Sequence, residues 1–229
     1  MSKYSLSSFV NDNLTSDEES EYFELENDYI LDIHMDGSVK IKLGSMIAYT
    51  GDISFKRESS LSGGLNKFLK KTISQETQTM MDCEGYGHLY VADQGKRINV
   101  IYLEEDDIIY VNGNDVLAFE SSVEWDIEML SSGYSAGSNM SHMRLEGEGM
   151  IAITSEGKAM VIRVTPDQPV YTDPDATVAW SNGLSINTKT DVNLKTLIGK
   201  GSGETFQMEF RGDGFVIIQP FEEVYMTEY

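Results

Sequence analysis

The side chains that could act as a nucleophile or hold a metal are few and scattered in this chain. Cys83 is the single cysteine, so no intrachain disulfide can form, and the sequence shows no paired base that would activate its thiol. It occupies an apolar position of a predicted strand, which indicates a small buried hydrophobic residue. The three histidines, His34, His88 and His142, have no histidine or cysteine partner at metal-ligand spacing. We therefore predict no catalytic residue, no metal site and no cofactor.

Two short motifs resemble binding loops but lack the spacing that such loops require. Residues 104–107 are all acidic and could form a calcium loop. The spacing of an EF-hand, with its central glycine and terminal glutamate, is absent, so a solvated hairpin turn is predicted instead. Residues 199–204 are rich in glycine but match neither phosphate-binding pattern, which favours a flexible connector.

The candidate binding residues are five basic side chains in an otherwise acidic chain. They could contact an anion or an acidic surface, such as that of a neighbouring subunit. The alternative is that they form the exposed face of a short helix. These residues are Lys56, Arg57, Lys67, Lys70 and Lys71.

Four aromatic residues, Tyr49, Phe119, Trp125 and Trp180, could line a ligand site. They recur at corresponding places in a repeated pattern, described below, and this recurrence indicates packing in the core.

The net charge of −21 over 229 residues bears on the class of partner. Nucleic acids and anionic membranes repel such a chain, so sequence-independent binding to either is not expected, whereas a basic partner stays possible. No apolar run reaches the length of a membrane span, and the first residues lack the basic and apolar regions of a secretory signal. A cytoplasmic protein is therefore predicted.

The elements that must position these residues follow from a motif that occurs three times. Residues 81–87, 143–149 and 208–214 share the pattern Met-x-apolar-Glu/Arg-Gly-x-Gly, and an apolar strand follows each copy. The first glycines of the copies are 62 and 65 residues apart. The pattern predicts a tight turn between two strands at each Gly-x-Gly.

A second motif alternates with the first. Ala48, Ala118 and Ala179 are each followed by an aromatic residue, three mostly polar residues and an apolar segment. Two patterns that alternate at a fixed period indicate tandem structural units. We divide the chain into an acidic, weakly ordered arm over residues 1–22 and one β domain over residues 23–229.

The predicted fold is all-β, with three tandem double-stranded units packed as one sandwich-like or barrel-like domain. The units cover approximately residues 23–102, 103–164 and 165–229. Apolar residues at helical spacing predict one or two short helices at 65–71 and 192–198, and the middle unit has a flexible loop at 131–139. A turn is predicted at 35–38.

These motifs resemble the AIM24 family, formerly a domain of unknown function. The resemblance extends over roughly residues 30–220, and it implies a β-rich fold similar to the subunit of the tryptophan RNA-binding attenuation protein. The family has no established catalytic residues to transfer. Its mitochondrial members are associated with inner-membrane organisation, a role not expected directly here because no transit peptide is apparent. The matching segments are residues 44–49, 116–119, 145–149, 203–206 and 212–219.

The sequence therefore leads to a ranked set of functional hypotheses. The first is a non-enzymatic interaction or scaffold protein that self-associates into a homo-oligomer, because the repeats come with no catalytic constellation. The second is a small-ligand or anion-binding module near the basic cluster. An RNA-binding protein and a hydrolase or isomerase rank lower. The protein partner, the ligand and the oligomeric number stay open at this stage.

Overall fold

A computed structural model of the chain describes residues 4–15, 21–57, 80–129, 141–190 and 206–220. The predicted helices at 65–71 and 192–198 and the predicted loops at 131–139 and 199–204 lie outside the described residues. Within them the structure is built almost wholly of β-strands, so the all-β prediction is confirmed.

Seventeen strands and two short helices form the described structure. In chain order they are α1 Leu6–Asp12, β1 Phe23–Asn27, β2 Ile30–Lys42, β3 Met46–Tyr49, β4 Asp52–Arg57, β5 Met80–Val91, β6 Arg97–Leu103, β7 Ile108–Asn112, the 3-10 helix Gly113–Asp115, β8 Val116–Glu120, β9 Glu124–Met129, β10 Ser141–Glu146, β11 Gly149–Ser155, β12 Met160–Val164, β13 Val170–Thr172, β14 Thr177–Ser181, β15 Ser185–Thr190, β16 Phe206–Arg211 and β17 Gly214–Ile218.

The α1 helix lies inside the N-terminal arm, residues 1–22. Ser5 caps it by accepting a hydrogen bond from the backbone N–H of Ser8. None of its residues is buried, and Leu6 and Phe9 are exposed. No helix among the described residues is long and apolar enough to cross a membrane.

The strands pair in the same pattern three times. The strands β6 and β12 lie at the ends of the first and second units as the sequence divided them, but each pairs within the following unit and is counted with it below. In the second unit β11 lies between β6 and β8, and β10 lies between β7 and β9. In the third unit β17 lies between β12 and β14, and β16 lies between β13 and β15. In the first unit the long strand β5 has β2 along one side and both β3 and β4 along the other. Each Ala-aromatic segment is therefore a strand in the same place of its unit.

Strands of neighbouring units pair with each other, and these pairings determine how many strands each sheet contains. The β8 strand of the second unit pairs with β2 of the first, and β14 of the third pairs with β7 of the second. The result is an eight-stranded, a six-stranded and a three-stranded antiparallel sheet, and none of the three closes into a barrel among the described residues. One apolar cluster packs between the two larger sheets and includes Leu103, Met143 and Ile151. Another, with Trp180 and Phe210, packs between the six-stranded and three-stranded sheets.

Turns at the predicted Gly-x-Gly positions are present in two copies, where they connect strands of different sheets rather than the paired strands that were predicted, and the prediction is wrong in the first copy. Turns separate β10 from β11 and β16 from β17. In the first copy β5 runs without a break through Gly85 and Gly87, and the turn predicted at 35–38 is also absent, because β2 runs through Gly37. Gly37 and Gly85 are cross-strand partners with φ values of 123° and 149°. Facing glycines let both long strands bend together where other residues would be strained.

Cys83 lies in β5 and is fully buried, as predicted. Burial, followed by the negative charge of Asp82, raises the pKa of its thiol to about 12. A thiol with this pKa is almost entirely protonated at neutral pH, and the protonated form is a poor nucleophile.

We therefore expect no reaction of the native chain with a disulfide reagent such as DTNB at pH 8. Because Cys83 is the single cysteine, the absorbance change reports on this residue alone. In denaturant one equivalent should react at once. Rapid labelling of the native protein would contradict the buried position.

Candidate functional site

The predicted basic cluster is described only in part. Lys56 and Arg57 lie in β4 and are exposed, whereas Lys67, Lys70 and Lys71 lie outside the described residues. The Lys56 ammonium group is 3.1 Å from the Glu84 carboxylate, with both side chains more than 60% exposed. An exposed pair of this kind contributes little energy, and Lys56 stays accessible to solvent. The anion site remains a prediction.

The strongest charge interactions lie inside the fold and join the first and second units. Lys42 donates to Asp93 at 2.6 Å and to the backbone carbonyl of Asn114 at 2.9 Å. Lys96 donates to Asp115 at 3.1 Å, with both side chains buried. Each lysine contacts a buried carboxylate, so this network has the character of a structural element rather than of a catalytic pair.

The aromatic residues do not share one environment. Phe119 and Trp180 are buried in core clusters and Trp125 packs partly buried beside Phe119, as predicted. Tyr49 departs from the prediction, since it is 47% exposed. Its ring contacts Phe55 at a centroid distance of 5.2 Å, and the remainder faces solvent.

Tyr49 is one residue of β3, a strand that is exposed along its whole length. All four residues of β3 are exposed, on both faces of the strand, although three of them are large apolar or aromatic residues: Met46, Ile47 and Tyr49. The residues at the corresponding positions of β8 and β14 are buried. The difference has a simple cause. Both β8 and β14 lie between two strands, whereas in the described parts of the chain β3 pairs with β5 only and ends its sheet.

The register between units shows which strand covers β8 and β14. In β8, Ala118 pairs with Ile41 and Phe119 with Lys40 of the preceding unit. In β14, Ala179 pairs with Val111 and Trp180 with Tyr110. The strand that corresponds to β2 and β7 in the third unit is β13, and it ends the three-stranded sheet of the described residues. The edge strand β3 therefore corresponds to the strands β8 and β14, and the edge strand β13 corresponds to the strands β2 and β7 with which they pair.

Two histidines and an aspartate gather on the outer face of β2 and β5. His34 and His88 are cross-strand partners, and Asp32 is two residues before His34 on the same face. Asp32 Oδ2 lies 2.9 Å from His88 Nδ1 and 3.4 Å from His34 Nε2. These three residues form a group whose ligand atoms all lie within 4.8 Å of one another. The sequence prediction treated the histidines as separate and missed this group.

His142 lies elsewhere and has a different surrounding. It is buried in β10 between the rings of Tyr110 and Trp180, at centroid distances of 5.5 and 5.1 Å. Burial lowers the pKa of His142, and the Glu128 carboxylate 3.6 Å away opposes that shift. Packing between aromatic rings gives His142 the role of a core residue.

The acidic residues 104–107 form an exposed turn, as predicted, but it is not the predicted hairpin, because β6 and β7 lie in different sheets and do not pair with each other. They connect β6 to β7 and are all exposed, and the Asp107 carboxylate accepts a hydrogen bond from the backbone N–H of Glu104. A side chain that closes its own turn in this way is an ordinary feature of acidic turns.

Comparisons with known proteins agree with the arrangement of the strands. The model of a family described as "Mitochondrial biogenesis AIM24" matches residues 23–221. No curated protein matches the chain. Among solved structures, the crystal structure of protein SPYM3_0169 from Streptococcus pyogenes is similar, with a TM-score of 0.67 and 22% identity over 87% of this chain and 92% of that chain. At this identity the similarity shows a common fold.

Proposed function

The chain belongs to the AIM24 family, and from that premise we propose that it is a non-enzymatic interaction protein that self-associates through its open sheet edge. In the proposed contact, β3 of one copy pairs with β13 of a second copy. The observation that carries the proposal is the exposure of all four residues of β3. An exposed apolar edge strand is a template for strand addition, and proteins that keep one without a partner usually protect it.

The repeat predicts the register of this contact. Val170, Tyr171 and Thr172 pair with β16 as Ile109, Tyr110 and Val111 pair with β10. By the same correspondence, the inter-unit pairing of β7 with β14 maps onto β13 and β3. The expected pairs are Thr172 with Ala48 and Tyr171 with Tyr49, across two copies.

This contact is heterologous, because a different edge is used on each copy. Such contacts build a closed ring when the rotation between copies closes and an open filament when it does not. It would also join the three-stranded sheet of one copy to the eight-stranded sheet of the other, as the pairing of β7 with β14 joins strands of the second and third units in the six-stranded sheet. The similarity to the attenuation-protein subunit remains a prediction of the family resemblance.

Site-directed crosslinking tests the pairing and its register together. Tyr49 and Tyr171 are both exposed, so Tyr49→Cys and Tyr171→Cys should leave the fold intact. Opposite residues of paired strands have Cβ atoms about 5 Å apart, within reach of a short bis-maleimide. We expect a crosslinked dimer when the two variants are mixed and none when either is treated alone. The buried thiol of Cys83 is silent in this assay.

Other outcomes of the crosslinking would show which segment pairs with the edge strand β3. A dimer from Tyr49→Cys alone would indicate symmetric pairing of β3 with β3 and contradict the proposed register. Removal of residues 1–20 should leave the mixed dimer unchanged; loss of the dimer would assign the contact to the N-terminal arm. No dimer in any mixture, with a monomer in solution, would overturn self-association.

A charge placed on the edge should weaken the association. Ile47 is 52% exposed, so Ile47→Lys costs the isolated chain little, but in the paired state the ammonium group would be desolvated. We expect the dissociation constant from analytical ultracentrifugation to rise at least about tenfold, which corresponds to roughly 1.4 kcal/mol.

The matched control for Ile47→Lys is Val161→Lys. Val161 is 62% exposed and lies on β12, an edge strand outside the proposed contact. This change should leave the dissociation constant within about twofold of the parent value, at roughly 0.15 M salt where charges more than about 8 Å apart are screened. Equal weakening by both variants would point to net charge rather than strand pairing.

A further inference from the structure

Three neighbouring strands present donor groups for a metal on one surface of the first unit. Glu24 of β1 pairs with Asp32 of β2, and His34 of β2 pairs with His88 of β5. Because side chains two residues apart share a face of a strand, all four side chains lie on the same surface. The core face of β2 carries Leu31 and Ile33 instead, so this donor set lies on the side that faces away from the first apolar cluster.

The distances between the donor atoms suit one metal ion. Zinc binds imidazole nitrogen and carboxylate oxygen at about 2.0–2.2 Å, so two ligands at a tetrahedral angle lie about 3.4 Å apart. Asp32 Oδ2 is 3.4 Å from His34 Nε2 and 2.9 Å from His88 Nδ1. Glu24 Oε2 lies 3.6 Å from His34 Nε2, so Glu24 is at the edge of the donor group.

Burial gives a second and independent observation. The Asp32 side chain is only 3% exposed, although it lies on the outer face, and its Oδ1 atom is buried without a hydrogen-bond partner. A buried carboxylate oxygen without a partner is costly, and a bound cation removes that cost. The histidines are 20% and 35% exposed, which leaves a side open to solvent.

We propose that Asp32, His34 and His88 bind one divalent first-row transition-metal ion, with zinc as the reference ion and Glu24 as a fourth or supporting ligand. Two imidazole nitrogens with a carboxylate favour zinc, cobalt, nickel or iron over magnesium and calcium, which prefer oxygen donors alone. The open side leaves a coordination position for water or a ligand, as in sites where a metal has only three protein ligands.

Metal-free full-length protein, prepared with a chelator, provides the test. Cobalt(II) is added as a spectroscopic probe, and zinc is then added to displace it, with calorimetry to give the stoichiometry. We expect one ion per chain, visible d–d absorption typical of four or five coordination, and displacement by zinc but not by a tenfold excess of magnesium. Zinc should also raise the melting temperature, because it binds the folded state.

Variants distinguish metal binding at the proposed site from metal binding to the acidic surface of a chain with a net charge of −21. Asp32→Asn and the double change His34→Gln with His88→Gln should each weaken cobalt binding at least about 100-fold. Asp106→Asn, in the exposed acidic turn, is the matched control and should change binding less than twofold. Thermal melts without metal verify that each variant is folded.

Two results would overturn the proposal. One is the absence of d–d absorption and of zinc-dependent stabilisation in the parent chain. The other is binding that persists in Asp32→Asn and in the double histidine variant, or that falls in Asp106→Asn, since either would assign the ions to the acidic surface. In both cases Asp32 would serve only as the hydrogen-bond partner of His88, with His34 nearby.

Discussion

Gly85→Ala is expected to lower the free energy of unfolding by roughly 3–5 kcal/mol, the sum of backbone strain and overpacking. Gly85 has a φ of +149°, which L side chains rarely adopt. A Cβ added there would lie 2.0 Å from the carbonyl oxygen of Asp52. Because Asp52 belongs to β4, which pairs with β5 over six residues, the carbonyl cannot move without breaking the pairing.

The matched control is Gly147→Ala, at the same position of the second motif copy. Gly147 has a φ of +90°, but an added Cβ would meet no atom within 4 Å. Only the cost of the left-handed conformation applies, about 1–2 kcal/mol. Urea unfolding followed by tryptophan fluorescence measures both variants. Equal losses would show that the close approach of β4 does not set the cost at Gly85.

This contrast shows how far the repeat could be predicted from the sequence. The shared pattern correctly predicted extended strand residues before and after every Gly-x-Gly. It could not show that the first copy is a continuous strand, because the residues of the motif are nearly the same in all copies. The difference arises from a distant segment, since the backbone of Thr50 and Asp52 passes within about 2 Å of the Cβ positions of Gly87 and Gly85.

The exposure of β3 could not be predicted from the sequence either. Tyr49 occupies the place of Phe119 and Trp180 in the repeat, and that correspondence led to the expectation that it is buried. Burial of the other two depends on a strand from the preceding unit, whereas among the described residues β3 has only β5 as a partner. The repeat pattern encodes the strand, whereas its surroundings depend on whether a second strand pairs along its other edge.

The histidine group was missed for a related reason. Asp32 and His34 show the spacing of one strand face, but His88 is 54 residues beyond His34. Only the register of β2 against β5 brings the two histidines together, and a shift of one residue would place them on opposite faces. The predicted turn at 35–38 also divided β2, so the long pairing that holds the group was not considered.

Lys96→Met is expected to destabilise the fold by about 3–5 kcal/mol, because it leaves a buried carboxylate without its countercharge. Asp115 is fully buried in the 3-10 helix before β8, and Lys96 lies in the turn between β5 and β6. The 3.1 Å contact between Lys96 Nζ and Asp115 Oδ1 therefore connects the first unit to the second. Urea unfolding at neutral pH measures the change in the free energy of unfolding.

Two further variants show whether the loss comes from the unpaired charge. Lys56→Met breaks an exposed pair with Glu84 and should cost about 0.5 kcal/mol or less. Adding Asp115→Leu to Lys96→Met removes both buried charges, and we expect it to recover much of the lost stability, because an apolar pair of similar volume can replace a buried ion pair. If the double variant is instead the least stable, the network acts mainly through its hydrogen bonds. If Lys96→Met costs no more than Lys56→Met, water reaches Asp115 and the junction between the units is open.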